Sequence, residues 1–227
     1  ELVAALTPVA AALPQLISSA QRVVEVLDAP DVVAEPAHPL PLPTAPYGLR
    51  LRGVGLAWPG GPLLVKGLDL DVAPGATIAI TGASGVGKST LAATLLRFVE
   101  PAAGTLELVG ADGSVDLCRV QPDELRRVIG WCAQDAHVFD STLAANLLLA
   151  RPDATDAQLL EALQAVRLDE WVDSLPDGLQ TMVGEHGAAM SGGERQRLSL
   201  ARVVLSGAGI VLIDEPTEHL DDTTAAS

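Results

Sequence analysis

The chain has 227 residues, of which 14 are Lys or Arg and 29 are Asp or Glu, so its formal net charge at pH 7 is −15. Hydrophobic residues make up 48% of the chain, which excludes a disordered polar protein and suffices for a sizeable core in one or two domains. The acidic balance argues against a protein that wraps nucleic acid, but it leaves nucleotide binding open, because one loop of backbone N–H groups and one lysine can bind phosphates. The two cysteines, Cys118 and Cys132, are too few for a disulfide scaffold and match no metal-binding spacing, so a reducing, cytosolic environment is expected.

Residues 1–29 are expected to form the end of a membrane domain and a connecting helix. Residues 1–17 are nearly all apolar but are interrupted by Pro8 and Pro14, and they lack the basic start of a signal peptide. They are too short for a complete membrane span. Two interpretations remain, a helix that packs on the domain or the cytoplasmic end of a membrane helix that begins earlier, and the composition favours the second. A helix over residues 18–28 is predicted to end at Ala29-Pro30.

Six prolines between residues 30 and 46 predict an extended linker, so a domain over residues 47–227 is expected to follow. Alternating apolar and polar residues around the turn 59–62 predict an antiparallel hairpin within residues 47–72. The β-branched runs Thr77–Ile80 and Ile210–Ile213 predict strands buried in a parallel sheet. Helical patterns cover residues 91–98, 123–127, 156–166 and 194–205.

One segment matches a phosphate-binding loop. It reads Gly82-Ala83-Ser84-Gly85-Val86-Gly87-Lys88-Ser89-Thr90 and follows a predicted strand, as this motif requires. The glycines let the backbone turn N–H groups towards phosphate oxygens, and the start of the next helix adds partial positive charge. We expect Lys88 to contact the β- and γ-phosphates of the ligand and the Ser89 hydroxyl to ligate Mg²⁺.

Two acids follow the second predicted parallel strand. Asp214 and Glu215 come directly after Ile210–Ile213, at the carboxyl end of the strand, where open α/β sheets bind ligands. On its own the pair is also consistent with solvated acids at a strand end. Downstream of a phosphate-binding loop, we expect Asp214 to hold Mg²⁺ through water and Glu215 to orient and polarise the attacking water.

A third segment carries the resemblance to a family. Met190 is followed by Ser191-Gly192-Gly193-Glu194, which resembles the LSGGQ signature of ATP-binding-cassette (ABC) proteins with Met for Leu and Glu for Gln. A serine and two glycines that open a helix present a hydroxyl and free N–H groups, which suits an anion, although an ordinary capped helix looks the same in isolation. The resemblance implies that these residues bind the γ-phosphate held by a second subunit in a head-to-tail dimer.

Other positions fall in the order of the ABC motifs over residues 47–227. The resemblance implies that Trp58 stacks on adenine, that Gln134 senses Mg²⁺ and the attacking water, and that Asp221 closes the D-loop. The alternatives are a hairpin core residue for Trp58 and a polar surface residue for Gln134. The implied fold is α/β, a P-loop NTPase with an antiparallel β subdomain at 47–76, a parallel core at 77–135 and 198–227, and a helical signature subdomain at 136–197.

Residues 138–146 and 183–187 are similar to exporter sequences, with His186 where arginine is common. The segments SGGE, DEPTEHLD and ISSAQRVVEVLDAP most resemble the CydC subunits of bacterial CydDC exporters. The resemblance implies an ATPase that uses ATP and Mg²⁺, coupled to its own or a partner's transmembrane domain and paired with a CydD-like subunit. It also implies export of thiols or haem across the bacterial inner membrane, with this domain on the cytoplasmic face.

The resemblance has one gap, the switch histidine at the end of a later strand. None of the four histidines, His38, His137, His186 and His219, fits it, so it is expected beyond Ser227. Two other functions stay open. A DNA-maintenance ATPase shares the phosphate loop and the signature, but the net charge and the lack of a coiled-coil insertion oppose it. A nucleotide-binding regulatory module without turnover is opposed by Glu215.

Overall fold

The computed structural model describes residues 2–29, 31–134, 137–185 and 190–214, with only the backbone described for residues 2–13. The chain divides into two compact units, residues 1–34 and residues 35–227. The second unit thus includes the proline-rich residues from 35 onward, and the domain start at residue 47 stays a prediction.

The first unit contains the helix α1, Leu2–Leu27. The sequence indicates an interruption at Pro8 and Pro14, but the helix runs through both positions. The side chains of residues 14–29 are exposed. Among the described parts of the chain, no helix has the length and apolar character needed to cross a membrane.

The second unit is built on a four-stranded antiparallel sheet in the order β2-β1-β3-β4. Its strands are β1 (Gly48–Ala57), β2 (Leu63–Val72), β3 (Ala103–Gly110) and β4 (Gly113–Asp116). The predicted β1–β2 hairpin is confirmed. The strands β3 and β4 were not predicted, so the antiparallel part extends beyond residues 47–76 into the segment expected to belong to the parallel core.

One face of this sheet is covered by two helices, α2 (Lys88–Leu95) and α3 (Pro122–Val128). The core between them is aliphatic and includes Leu51, Leu56, Leu106, Leu108, Leu91 and Leu125. Two leucines of the proline-rich segment, Leu40 and Leu42, pack against the same core. Thr44 is also attached to the sheet, through its backbone N–H and hydroxyl to the Asp112 carboxylate at 2.7 and 2.6 Å. Residues 40–44 are therefore fastened to the sheet.

A second, parallel pair of strands carries the expected site. The strands β5 (Ile129–Cys132) and β8 (Ile210–Ile213) run side by side, with Cys132 opposite Ile213. The predicted strand Thr77–Ile80 is wrong for this structure: these residues form no ladder with any described strand, and Ile78 and Ile80 are exposed. A β-branched run becomes a strand only when a neighbouring backbone pairs with it, and β8 is paired only with β5 in the described chain.

The remaining elements form a helical part with its own core. They are α4 (Leu143–Leu148), α5 (Asp156–Ala165), α6 (Asp169–Asp173), α7 (Gly192–Ser206) and the two-residue strands β6 (Ser141–Thr142) and β7 (Met182–Val183). The apolar faces of α4, α5 and α7 meet in a cluster that includes Leu143, Leu147, Leu159, Leu163, Leu198 and Ala201. The mostly helical insertion expected at residues 136–197 is thus present, and α7 continues out of it onto β5.

Candidate functional site

The predicted phosphate loop leads into helix α2. Gly85 and Gly87 have φ values of 79° and 109°, which other residues rarely adopt, and Gly87 is the residue that caps α2. A Cβ on Gly87 would lie 3.0 Å from Cγ2 of Val65 on β2. The loop therefore lies against the β1–β2 hairpin, and the glycine is what permits this close approach.

The Lys88 ammonium lies across its own loop. Its Nζ donates to the carbonyl oxygens of Gly82 at 2.8 Å and Ala83 at 3.1 Å. Carbonyl oxygens are neutral acceptors, and phosphate oxygens at the same place would make shorter, charge-assisted bonds. The lysine is thus held against the carbonyls of its own loop, and its contact with phosphates stays a prediction.

The hydroxyl and the carboxylate that are expected to hold Mg²⁺ are hydrogen-bonded to each other. The Ser89 hydroxyl donates to Oδ2 of Asp214 at 3.3 Å, across 125 residues of sequence. Asp214 is placed there because its N–H continues the β5–β8 pairing to the carbonyl of Cys132 at 3.0 Å. A hydroxyl and a carboxylate are hard oxygen ligands that fit Mg²⁺.

The donor set around this pair is small. In the described part of the chain, no three His, Cys, Asp or Glu side chains converge as a metal cluster. Mg²⁺ is usually held by one or two protein oxygens, waters and the substrate's phosphates rather than by a full protein cage. The Ser89–Asp214 pair therefore fits a metal ion that arrives with a nucleotide.

The expected sensor and the remaining acids are placed less completely. Gln134 follows β5, and because β5 and β8 are parallel, it lies at the same edge of the sheet as Asp214. Glu215 and Asp221 lie outside the described residues, as does His186. Their roles stay predictions.

Trp58 lies at the end of β1, in the hairpin that touches the loop. Its side chain is 51% exposed, so it is not a core residue of the hairpin. The neighbouring strand β2 supplies Leu64 and Val65, which lie beside Gly87. An exposed indole in the hairpin that contacts the phosphate loop is available to stack on a base, and this role stays a prediction.

The signature segment forms the start of α7. Ser191 is the N-cap: its hydroxyl accepts from the N–H of Glu194 at 3.2 Å, and the Glu194 carboxylate accepts from the N–H of Ser191 at 2.7 Å. This reciprocal capping box explains why a glutamate is compatible with the position where the ABC signature has glutamine. Ser191 itself is exposed, with Gly192 and Gly193 in the first turn of the helix.

The environment of Cys132, the last residue of β5, disfavours its thiolate form. Burial raises the pKa of the Cys132 thiol, and a hydrogen bond with Ser199 offsets part of that rise. The thiol therefore stays neutral and packs between β5 and α7.

Sequence reasoning missed two polar residues behind the site. Asn146 is 1% exposed on α4, and Arg202 of α7 donates to its Oδ1 at 2.7 Å. The available signal was a lone asparagine inside the apolar run 143–149, because a polar residue at a core position needs partners.

Comparison with known proteins identifies the family. The profile of the family described as ABC transporter matches residues 65–218, from β2 through the phosphate loop and the signature to the last strand. The chain belongs to the ABC transporter family. Within it, the chain is an ABC ATPase domain with the P-loop NTPase fold, as the motifs predict.

Related proteins of this family are much longer than the chain. An ATP-dependent lipid A-core flippase of Chromobacterium violaceum is 39% identical over 219 residues, which is 95% of this chain and 36% of the flippase. A mycobactin import ATP-binding/permease protein of Mycolicibacterium thermoresistibile is 36% identical over 99% of this chain and 38% of the permease. A solved bacterial Atm1-family ABC exporter with ATP bound matches with a TM-score of 0.80 and 32% identity, over 93% of this chain and 36% of the exporter. The chain thus spans little more than a third of these relatives.

Proposed function

We propose that this ABC domain binds MgATP and hydrolyses it to drive export by a half-transporter of which it is the ATPase part. The observation that carries the proposal is the contact between the Ser89 hydroxyl and the Asp214 carboxylate, which are 3.3 Å apart, with Lys88 directly before Ser89 in the chain. It brings a phosphate loop and a strand-end carboxylate to one point, which is the arrangement that phosphoryl transfer needs.

The residues divide the work by their chemistry. Lys88 neutralises the β- and γ-phosphates, and Ser89 and Asp214 orient the metal ion, which when bound offsets charge on the phosphates. Gln134 and Glu215 position water in line with the γ-phosphorus, with Glu215 polarising it. Positioning and charge neutralisation carry most of the catalysis, since no covalent intermediate with the protein is needed.

The signature is proposed to act on ATP bound by a second cassette. Ser191–Gly193 begin a helix of the helical part, whereas the phosphate loop precedes α2 beside the antiparallel sheet. A head-to-tail partner places each signature over the other's loop, so that ATP is held between the two chains. The partner supports turnover by covering the γ-phosphate, which one phosphate loop leaves open on one side.

The finer proposal is a CydC-like subunit with a CydD-like partner, exporting thiols or haem from the cytoplasmic face of a bacterial inner membrane. It rests on the segments SGGE and DEPTEHLD and on the helix-forming stretch before the domain. The relatives bear names with other substrates, so the cargo is tested directly. ATP-dependent uptake of glutathione or haem by inside-out vesicles containing the longer transporter would support it, whereas uptake of neither would contradict it.

The dimer is tested with Glu215→Gln, which should trap the closed heterodimer because ATP is bound but not hydrolysed. On its own with ATP, this variant should stay monomeric by light scattering. It should pair with a CydD-like ATPase domain when that domain is added. A tight ATP-dependent homodimer of the chain would rule out an obligate heterodimer and would leave the ATPase proposal intact.

A further inference from the structure

A buried asparagine holds the segment that follows Gln134. Oδ1 of Asn146 accepts from the N–H of Phe139 at 2.9 Å, and its Nδ2 donates to the carbonyls of Phe139 and Thr142, both at 3.0 Å. Because the side chain is buried and its donors and acceptor are all used, it has one orientation. Residues 139–142 are therefore fixed to α4 by side-chain bonds to their backbone.

Arg202 completes a bracket around the same segment from the signature helix. Its Nη2 donates to Oδ1 of Asn146 at 2.7 Å, its Nε to the Asn146 carbonyl at 2.9 Å and its Nη1 to the His137 carbonyl at 2.8 Å. The planar guanidinium makes all three bonds at once, which an ammonium cannot do with the same geometry. We call His137, Asn146 and Arg202 the Arg202 bracket.

The bracket joins two functional parts of the domain. His137 follows shortly after Gln134, which lies at the same edge of the sheet as Asp214. Arg202 belongs to α7, the helix that Ser191 caps. The segment is also wedged against residue 184, where a Cβ would lie 2.7 Å from Cα of Asp140. Arg202 is thus bonded to this segment directly at the His137 carbonyl and indirectly through Asn146, which holds Phe139 and Thr142. These bonds give a displacement of residues 137–142 a path to α7.

A second contact offers another route to α7. A Cβ on Gly130 of β5 would lie 2.6 Å from Cγ1 of Val203, so β5 and α7 are packed directly on each other. This apolar contact involves the middle of β5 rather than the segment after Gln134. It can hold α7 on the sheet, but it does not reach the backbone beyond residue 134.

We propose that Arg202 is a positioning residue that couples the nucleotide site to the signature, so that MgATP at the phosphate loop restrains Ser191–Gly193 through the Arg202 bracket. Arg202 contacts neither nucleotide nor metal in this role. The proposal rests on the proposed MgATP binding, and it assigns the communication to the bracket rather than to the packing of Val203 on Gly130.

Hydrogen exchange measured by mass spectrometry tests the coupling on the 227-residue chain with and without MgATP. In the parent protein, MgATP should slow exchange in residues 82–95 and in residues 192–206, by about fivefold or more in the second segment, the low end of usual site-to-site coupling. In Arg202→Gln, MgATP should still slow exchange in residues 82–95, and the variant's affinity for MgATP should stay within about twofold of the parent's. MgATP should no longer slow exchange in residues 192–206. A purely structural role would raise exchange in both states without removing the ligand-dependent difference.

Two further variants sharpen the test. Arg202→Lys keeps the charge and can keep one of the three bonds, so it should fold and still lose most of the response at 192–206. Arg151→Gln is the matched control, because Arg151 lies in the same helical part with an exposed 3.6 Å pair to Asp153 and should leave every response unchanged.

The outcomes separate the two proposals. A full response at 192–206 in Arg202→Gln or Arg202→Lys, or none there in the parent while 82–95 responds, would overturn the bracket as the coupling element. Absence of any response at 82–95 in the parent would instead overturn MgATP binding, and the coupling proposal with it.

Discussion

At the scale of single residues, Trp58 is the side chain whose predicted role depends most on its exposure. An indole that is 51% exposed loses further surface when a base stacks on it. Stacking of this kind contributes about 1–3 kcal/mol, so Trp58→Ala should weaken MgATP binding about 5- to 150-fold. Isothermal titration measures the affinity.

Trp171 provides the control for this change. It is half-buried in the helical part, and Trp171→Phe should leave the affinity unchanged. Equal affinities for the parent and Trp58→Ala would contradict adenine stacking.

The environment of Cys118 predicts that its thiol reacts slowly in the folded protein. Burial and its hydrogen bond to Glu100 raise the pKa of this thiol to about 12. Native Cys118 should therefore be alkylated roughly a thousandfold more slowly at pH 8 than in the unfolded chain, where its pKa is ordinary. Because the unfolded thiol loses its proton first, the free energy of unfolding should fall as the pH rises from 9.0 towards 12.

Iodoacetamide labelling followed by mass spectrometry measures both rates, with urea-unfolded protein as the reference. Rapid labelling of Cys118 in the folded protein at pH 8 would show that the thiol is neither buried nor held by Glu100.

Gly184 tests the tight approach between β7 and the segment after Gln134. Its φ is 105°, and an added Cβ would lie 2.7 Å from Cα of Asp140. Gly184→Ala should lower the free energy of unfolding by more than the roughly 1–3 kcal/mol that a strained backbone alone costs. Urea denaturation measures the change.

Gly60→Ala is the matched control for Gly184→Ala. Gly60 also has a positive φ, of 72°, but an added Cβ would meet no atom within 4 Å. Gly60→Ala should lower the free energy of unfolding only by the cost of the strained backbone. Equal losses for the two variants would contradict the close contact with Asp140.

At the scale of secondary-structure elements, two helices begin with the same capping box and only one lies at the candidate site. Thr155 caps α5 and Ser191 caps α7, each with a reciprocal bond to the third residue of its helix. Ser191→Ala and Thr155→Ala should each cost about 1 kcal/mol of folding free energy. Only Ser191→Ala should also reduce ATP-dependent pairing with a second cassette, measured by light scattering.

The elements also separate what the sequence predicts from what it does not. Strong periodicity predicts α5 almost to the residue, and the capping residue Ser191 marks the start of α7. The hairpin β1–β2 and the strand β8 follow from alternation and from a β-branched run. These signals are local, so each segment carries its own evidence.

Elements that form only by pairing with distant segments were predicted less accurately from the sequence. Thr77–Ile80 has the composition of a strand but no described neighbour to pair with, whereas β3 is a strand because it pairs with β1, and β4 is a strand because it pairs with β3. The site shows the same division. The motif residues Lys88, Ser89 and Asp214 were found by pattern, but the contacts of Asn146 and Arg202 arise from tertiary packing that no motif encodes.

At the scale of the whole molecule, the chain is acidic, yet it is predicted to bind an anion. A net charge of −15 repels a polyanion such as DNA, whereas the phosphate loop concentrates backbone N–H groups, a helix N-terminus and Lys88 at one point. Binding to the folded state alone stabilises it, by about 2.7 kcal/mol at a ligand concentration 100 times the Kd. MgATP should therefore raise the urea midpoint of the parent, and an equal concentration of duplex DNA should not.

The most direct test of the account is MgATP binding at the phosphate loop, measured by isothermal titration with Mg²⁺ and with EDTA. We expect one ATP per chain, weaker binding in EDTA because Ser89 and Asp214 act through the metal, and a further loss of about 10- to 150-fold in Lys88→Ala from the removed charge-assisted bonds. Lys66→Ala, which removes an exposed lysine on β2, should match the parent. Affinity that is the same in Mg²⁺ and EDTA and is unchanged in Lys88→Ala would contradict an ATP site at this loop.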